Sequence, residues 1–137
     1  PLRKFRDILV GNARYSELSG GSYELRQLKK YPLISSSRNA SSTYTFYQGV
    51  FEAAGVDFRP EIELNTADLI IPFIRRNLGI GFVPEELARP AIEAGEIVRI
   101  QLKADIPERT IYGVHNSRYP LSAAAKELLS VVRQGKA

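Results

Sequence analysis

The order of apolar and polar positions is most informative between residues 65 and 88, NTADLIIPFIRRNLGIGFVPEELA. From Leu69 to Ile74 the apolar residues recur at helical spacing, which predicts a helix with one apolar face. Residues 80–83 form a short apolar run, which is typical of a strand that is covered on both sides. The stretch therefore predicts a helix, a glycine turn, a buried strand and the start of another helix.

Five residues mark the ends and the irregularities of these elements. Asn65 and Thr66 are candidate helix caps, because a side-chain oxygen there can accept a hydrogen bond from a free backbone N–H. Gly79 can adopt the left-handed conformation that ends a helix, and Pro72 inside the helix predicts a kink. Pro84 ends the strand. We therefore expect a kinked helix that stops at Gly79, followed by a strand that stops at Pro84.

The rest of the chain continues this alternation of helices and strands. Further strands are predicted at residues 2–11, 33–35, 61–64, 97–102 and 109–115. A short helix is predicted after Ser22, and a second helix ends at Gly55 with Tyr47, Val50, Phe51 and Ala54 on one face. A third helix is predicted at 85–94, where it contains Pro90 and ends at Gly95. The last helix is capped by Ser122, with Ala125, Leu128, Leu129 and Val132 facing inward. Strands that alternate with helices at this spacing predict an α/β fold with a largely parallel sheet.

The composition fits one soluble globular domain. With 137 residues the chain is long enough to bury a core, and it has no apolar run long enough to cross a bilayer. It contains no cysteine, and His115 is its only histidine, so we expect no disulfide, no metal and no cofactor. The chain starts at Pro1 and has no methionine, so we expect a fragment, a trimmed product or a mature form.

Charge and motifs argue against nucleic-acid binding and catalysis by this chain. The net charge is +4, and the basic residues are scattered, whereas a nucleic-acid surface needs them concentrated on one face. The serines at 35–37 have no second histidine to activate them and lie in no G-x-S-x-G motif. The GIG at 79–81 lacks the third glycine of a dinucleotide-binding fingerprint. We therefore expect a chain that is not an enzyme and that binds DNA poorly by itself.

Polar side chains follow two of the predicted strands. In α/β folds, ligands bind beyond the carboxyl ends of strands and at helix N-termini. Hydroxyl and amide groups beside free N–H donors suit a small anion or a carboxylate, and Arg38 could add a charged fork. The alternative is that Ser, Thr and Asn are ordinary helix caps at these positions. The candidate binding residues are Ser35, Ser36, Ser37 and Arg38 after the first of these strands, and Asn65 and Thr66 after the second.

The stretch ADLIIPFIRRNLGIGFVPEELA resembles the signature of the effector-binding domain of LysR-type transcriptional regulators. The matching residues are Gly79, Gly81, Phe82, Val83 and Pro84. The segments YELRQLKKYPLIS, VFEAAGVDFRPEIEL and GEIVRIQL, and the closing IPERTIYGVHNSRYPLSAAAKELLSVV, resemble further pieces of that domain in the same order. The resemblance covers essentially the whole chain.

The resemblance implies a fold like that of type II periplasmic binding proteins, with one nearly complete Rossmann-like subdomain and part of another. Residues 12–111 would form the second subdomain. Residues 1–11 and 112–137 would supply crossing strands and a last helix that belong with the first. The family's effector contacts would fall on Ser35, Ser36, Ser37, Asn65 and Thr66, and on the backbone near Gly81 and Phe82. This site coincides with the one expected from the strand ends.

The function implied by the resemblance is effector sensing in a bacterial, cytoplasmic transcription regulator. A small anionic metabolite would bind between subdomains and alter the arrangement of a DNA-bound homo-oligomer. We expect DNA to be bound only through a winged helix-turn-helix domain absent from this chain, with no membrane involved. We expect the last helix and first strand to dock on a neighbouring chain, to be loosely ordered or to pair with another fragment. The alternative is a transporter's solute-binding protein, which shares the fold.

Overall fold

The structure of the protein, a computed structural model, describes residues 1–135 and separates into two compact units. The larger unit spans Arg6–Pro107, and the smaller combines Pro1–Phe5 with the residues from Glu108 onward. The strands are β1 (Arg3–Phe5), β2 (Asp7–Asn12), β3 (Leu33–Ser36), β4 (Ile62–Leu64), β5 (Ile80–Pro84), β6 (Ile97–Ile100) and β7 (Arg109–Ile111). The helices are α1 (Ser42–Ala53), α2 (Ile70–Arg75), α3 (Glu85–Glu93) and α4 (Ala123–Arg133), with 3-10 helical turns at Ser16–Leu18, Leu25–Leu28 and Ala67–Leu69.

The larger unit is built on a mixed sheet of five strands in the order β4-β3-β5-β2-β6. Strand β3 pairs in parallel with both β4 and β5, whereas β2 pairs antiparallel with β5 and β6. Four strands therefore run in one direction and only β2 runs against them. The predicted α/β fold is confirmed, and the predicted parallel character of the sheet holds for all of its strands except β2.

Two apolar clusters cover this sheet. Leu9 belongs to one cluster, and its neighbours Ile8 and Val10 belong to the other, because successive side chains of a strand point to opposite faces. The first cluster is rich in aromatic rings such as that of Tyr47, whereas the buried members of the second, such as Ile74, are aliphatic. Burial on both faces explains the unbroken apolar run at residues 80–83.

Several predicted elements differ from those in the structure. The strand predicted at residues 2–11 is two strands, β1 and β2, separated at Arg6. Strand β1 pairs with β7, whereas residues 7–11 pair in the five-stranded sheet. The strand predicted at 109–115 ends at Ile111, and the helix predicted after Ser22 is only a 3-10 turn. The first strand is divided where the backbone changes its pairing partner, and the order of apolar residues does not indicate such a change.

The predicted kinked helix is instead a 3-10 turn followed by the short helix α2. Pro72 is the third residue of α2, so it lies in the first turn, where a backbone N–H needs no partner within the helix. The left-handed residue after α2 is Asn77, with a φ of 59°, and not Gly79. Gly79 is required for another reason, because a Cβ there would lie 2.3 Å from the Pro32 carbonyl oxygen. The stops predicted at Gly55 and Gly95 are confirmed, with φ of 67° and 72°.

The smaller unit contains an antiparallel pair of strands and one helix. Strands β1 and β7 pair with Arg3 opposite Ile111. Ser122 caps α4, as predicted, by accepting a hydrogen bond from the Ala125 N–H at 3.2 Å. No residue of α4 is buried, and 63% of Leu128 is exposed. The apolar face of this helix was predicted to point inward, but none of its residues is buried against the described part of the chain.

Candidate functional site

Two polar segments leave the sheet side by side at the carboxyl ends of β3 and β4. In this parallel pair Ser36 lies opposite Leu64. The pairing continues one residue further, since the Ser37 N–H donates to the Leu64 carbonyl at 2.8 Å. Residues 35–37 and 65–66 therefore meet at one edge of the sheet. This is the position at which open α/β sheets bind ligands.

Ser35 and Ser36 are buried at this edge, with 6% and 4% of their surfaces exposed. The Ser35 hydroxyl donates to the Ser36 carbonyl at 3.2 Å. A narrow cleft of about 10 Å³ is lined by both serines and by Thr43 and Ile70, among others. Such a volume is enough for about one water molecule. The cleft is therefore too small to enclose a metabolite.

The N-terminus of α1 also faces this cleft through Thr43. Its cap is Ser41, whose hydroxyl accepts a hydrogen bond from the Thr43 N–H at 3.2 Å. The positive end of the helix dipole favours negative charge nearby. Because Ser41 is the cap, ordinary helix capping does not account for Ser35, Ser36 and Ser37. At Ser35 and Ser36 the structure removes the alternative explanation based on capping, whereas the Ser37 hydroxyl accepts a hydrogen bond from the Asn39 N–H at 3.4 Å and so caps the turn before α1.

Arg38 is held by the first turn of α1. Its guanidinium donates a hydrogen bond to the Tyr44 hydroxyl at 3.0 Å and lies 5.0 Å from the centre of that ring. This hydrogen bond raises the pKa of Arg38 above its usual value. The backbone N–H of Arg38 also donates to the Glu63 carboxylate at 3.3 Å. In this conformation the guanidinium group of Arg38 therefore contacts Tyr44.

Asn65 and Thr66 are exposed at the neighbouring strand end. The Thr66 hydroxyl accepts a hydrogen bond from the Asp68 N–H at 3.4 Å and so caps the following 3-10 turn. The cap predicted at 65–66 is therefore confirmed for Thr66, although the element it caps is a 3-10 turn. Asn65 presents its amide at the surface, next to the segment that contains Ser37.

Gly81 and Phe82 lie within the sheet. A Cβ on Gly81 would lie 2.9 Å from a methyl carbon of Ile70 and 3.1 Å from the Ile34 carbonyl oxygen, so packing requires glycine there. The Phe82 ring stacks on Tyr47, with 4.3 Å between ring centres. Gly81 is paired with strands on both sides. The side chain of Phe82 is therefore part of the core, while the same residue also lines the narrow cleft beside the serines.

Two residues at this edge were missed by the sequence analysis. Asp7 lies opposite Pro84, at the carboxyl end of β5, and only 4% of it is exposed. The Tyr47 hydroxyl donates a hydrogen bond to the Asp7 carboxylate. A buried carboxylate needs such a partner. The available signal was an aspartate directly before the buried run Ile8–Val10, together with a tyrosine on the apolar face of a helix.

The described residues provide no group of three or more His, Asp or Glu side chains that could hold a metal ion. None of the helices within residues 1–135 combines the length and apolar character needed to cross a membrane. Chemistry at the carboxyl edge rests on hydroxyl, amide and backbone groups beside a helix N-terminus, which suits binding of a small polar molecule.

Known structures share this fold over nearly the whole chain. The regulatory domain of Synechocystis PCC6803 CcmR in complex with 2-PG matches with a TM-score of 0.82 at 18% identity, over 99% of this chain and 65% of that one. The effector binding domain of QuiR in complex with shikimate matches with a TM-score of 0.82 at 15% identity, over 99% and 63%. HinK, a LysR family transcriptional regulator from Pseudomonas aeruginosa, matches with a TM-score of 0.72 at 17% identity, over 100% and 47%. The chain thus spans less than two thirds of these proteins.

The fold is therefore that of the LysR regulatory domains, which is the type II periplasmic-binding-protein-like fold. No curated protein matches the chain in sequence. The family described as LysR substrate binding domain matches residues 1–137, that is, the whole sequence. This match agrees with the signature around Gly79, Gly81 and Pro84. The chain belongs to the LysR substrate binding domain family.

Proposed function

We propose that this chain senses a small anionic metabolite for a bacterial LysR-type transcription regulator. The metabolite binds at the carboxyl edge of the sheet. Its acidic group is received by the hydroxyl, amide and backbone N–H groups of two neighbouring segments, with the positive end of α1 beside them. The proposed contacts are Ser35, Ser36, Ser37, Arg38, Asn65 and Thr66, with the backbone of Gly81 and Phe82 behind them.

The observation that carries this proposal is the parallel pairing of β3 with β4. It sets Ser36 opposite Leu64 and so brings residues 35–37 next to 65–66. The burial of two serine hydroxyls at a strand end is a second support, because no helix cap explains it. Two matched structures of the same fold, those of CcmR and QuiR, are described as complexes with 2-PG and shikimate. Small polar effectors are therefore compatible with this architecture.

In the parent regulator the bound metabolite would also contact the other subdomain. We propose that about residues 12–111, most of which lie in the larger unit, form the second subdomain of an effector-binding domain, and that residues 1–11 and 112–137 belong with the first. Residues outside this chain would complete the first subdomain and supply a winged helix-turn-helix that binds DNA. The metabolite would favour one arrangement of a cytoplasmic homo-oligomer on DNA by binding it more tightly than the other.

The alternative of a transporter's solute-binding protein is less well supported. It shares the fold, but the family match is to the LysR substrate binding domain. A secretory signal upstream in the parent gene would favour transport, whereas a basic winged-helix segment would favour regulation. An enzymatic role has no support from the site, because its serines have no histidine within the cluster to activate them.

The proposal is tested by melting the intact parent protein in the presence of a library of small metabolites. A compound that binds the folded state and is present at 100 times its Kd should add about 2.7 kcal/mol to the free energy of unfolding. Ser36→Ala and Asn65→Ala should each weaken that compound about tenfold, because each removes a hydrogen bond to a charged group.

Ser16→Ala is the matched control. Ser16 is exposed and follows β2, whose end at Asn12 lies opposite the start of β6, away from the carboxyl edge. This variant should bind the compound like the unmodified protein. If no compound shifts the melting temperature, and if Ser36→Ala and Asn65→Ala leave regulation intact, the proposed site is wrong.

A further inference from the structure

A larger cavity lies at the opposite end of the same strands. It measures about 260 Å³ and is lined by Leu33 and Ile80, the first residues of β3 and β5. Ser36, by contrast, is the last residue of β3. A strand of four residues is about 10 Å long from end to end. The cavity therefore opens at the end of the sheet opposite to the serines, and Leu33 and Phe82 are walls that it shares with the narrow cleft beside them.

The body of this cavity is apolar. Leu25 and Leu28 of a 3-10 turn close one side, and Phe51 and Val56 at the end of α1 close another. All four side chains are buried and belong to the aromatic-rich cluster. Apolar cavities of roughly 150 Å³ already bind benzene. A cavity of about 260 Å³ is therefore large enough for one aromatic ring that carries a short substituent.

The mouth of the cavity carries charged side chains, and only some of them are in ion pairs. Asp57 is paired with Arg59 at 3.1 Å. The Glu61 carboxylate accepts a hydrogen bond from the Leu33 N–H at 2.6 Å. Lys29 also lines the cavity, and among the described residues it makes no ion pair. The mouth therefore offers one ammonium group, that of Lys29, to the polar end of a ligand, while the Glu61 carboxylate carries a negative charge and is held by the backbone.

We propose that this cavity is a second small-molecule site, which takes a monocyclic aromatic carboxylate. The ring is buried beside Phe51 and Phe82, and the carboxylate stays at the mouth near Lys29. Burial of the ring supplies most of the affinity. The exposed ammonium contributes little and sets the orientation. The site is independent of the proposed effector edge and stands even if that edge binds nothing.

The test uses methyl NMR spectra of the whole chain with three probes: phenylacetate, toluene and acetate. Phenylacetate and toluene should give saturable shifts at the methyl groups of Leu25, Leu28 and Val56, and acetate should give none. The methyl groups of Ile70, at the opposite edge, should not move. Absence of saturable shifts with both aromatic probes, or shifts centred on Ile70, would overturn the proposal.

Two variants sharpen the test. Val56→Phe places a ring inside the cavity and should weaken both aromatic probes at least about tenfold, because the apolar space is filled. Lys29→Gln should weaken phenylacetate about two- to fivefold and leave toluene unchanged. Lys126→Gln is the matched control, since Lys126 is an exposed lysine of α4 that is not among the lining residues, and it should change neither.

Unchanged binding of both aromatic probes to folded Val56→Phe would place them elsewhere and refute the site. If Val56→Phe does not fold, the shifts measured on the unmodified chain decide by themselves. Equal loss of phenylacetate and toluene in Lys29→Gln would contradict the assigned orientation of the carboxylate.

Discussion

The larger and the smaller unit differ in how they bury their apolar residues. The larger unit, Arg6–Pro107, contains both apolar clusters. The smaller unit has no buried residue in its described part. It exposes large hydrophobic side chains on β7, on α4 and between them, at Ile111, Tyr112, Val114, Tyr119 and Leu128.

This difference shows what an apolar pattern can predict. The spacing of Ala125, Leu128 and Val132 correctly predicted the helix α4, but the inward orientation predicted for its apolar face is not matched by any buried residue of this helix. It did not predict whether the partner of that face lies in the same chain. An isolated helix of 11 residues or a two-stranded ribbon is marginally stable by itself. We therefore expect the stability of this chain to reside in the larger unit.

The largest effect is expected from truncating the core of the larger unit. Ile74 is fully buried in the aliphatic cluster. Ile74→Ala should lower the free energy of unfolding by about 2–5 kcal/mol, whereas Leu128→Ala on α4 should change it by no more than about 0.5 kcal/mol. Urea unfolding of both variants measures the difference. Equal losses would mean that α4 is packed as firmly as the core.

Two glycines of the larger unit provide a matched pair. Gly79→Ala would bring a Cβ to 2.3 Å from the Pro32 carbonyl oxygen, so the backbone must move, at a cost of about 1–3 kcal/mol. At Gly49, within α1, a Cβ meets nothing within 4 Å, and Gly49→Ala should stabilise by about 0.5–1 kcal/mol. Thermal unfolding should therefore shift in opposite directions. A shift in the same direction would refute the assigned role of Gly79.

A smaller effect is expected at Asn77. Its φ of 59° is left-handed, and its side-chain oxygen is buried with no hydrogen-bond partner among residues 1–135. Asn77→Ala should cost about 1–2 kcal/mol, because alanine tolerates this backbone poorly. Asn77→Gly should cost less, since glycine adopts it freely. If both variants unfold at the same denaturant concentration, backbone strain is not what selects asparagine.

The smallest effect is expected in the smaller unit at its exposed ion pair. Lys4 lies 3.3 Å from the Glu108 carboxylate, and both side chains are well exposed. Lys4→Gln should change the free energy of unfolding by less than about 0.5 kcal/mol, because water and salt screen such a pair. A loss above about 1 kcal/mol in the same urea titration would show that β1 and β7 contribute substantially to the free energy of unfolding, and would contradict the expectation that stability resides in the larger unit.

Much of the larger unit could be predicted from the sequence because its elements are locally encoded. The run at 80–83, the stops at Gly55 and Gly95 and the polar strand ends all reflect a single strand or helix end. The missed features depend on distant partners. The division of the first strand at Arg6 follows from a change of pairing partner, and burial of Asp7 depends on Tyr47, 40 residues away.

The role of Gly79 was misassigned for the same reason. Its neighbour in space is the Pro32 carbonyl, which lies far from it in sequence. The residue in the left-handed conformation is Asn77, and asparagine adopts this conformation less often than glycine does. Convergence of residues 35–37 with 65–66 could be predicted, because parallel neighbours end at the same edge. Contact of the Arg38 guanidinium with Tyr44 could not be predicted, since the conformation of an exposed side chain is not encoded locally.

Binding at the proposed effector edge is tested most directly by protection of a single thiol placed there. Within this chain, which has no cysteine, Asn65→Cys introduces a single reactive group at an exposed position, and Ser16→Cys provides the control. The reaction rate of each thiol with a maleimide is measured in the parent regulator, with and without the compound that raises its melting temperature most. If the edge binds the compound, labelling at position 65 should be slower with the compound, and the rate at position 16 should be unchanged. Equal rates with and without the compound at position 65 would contradict binding at this edge.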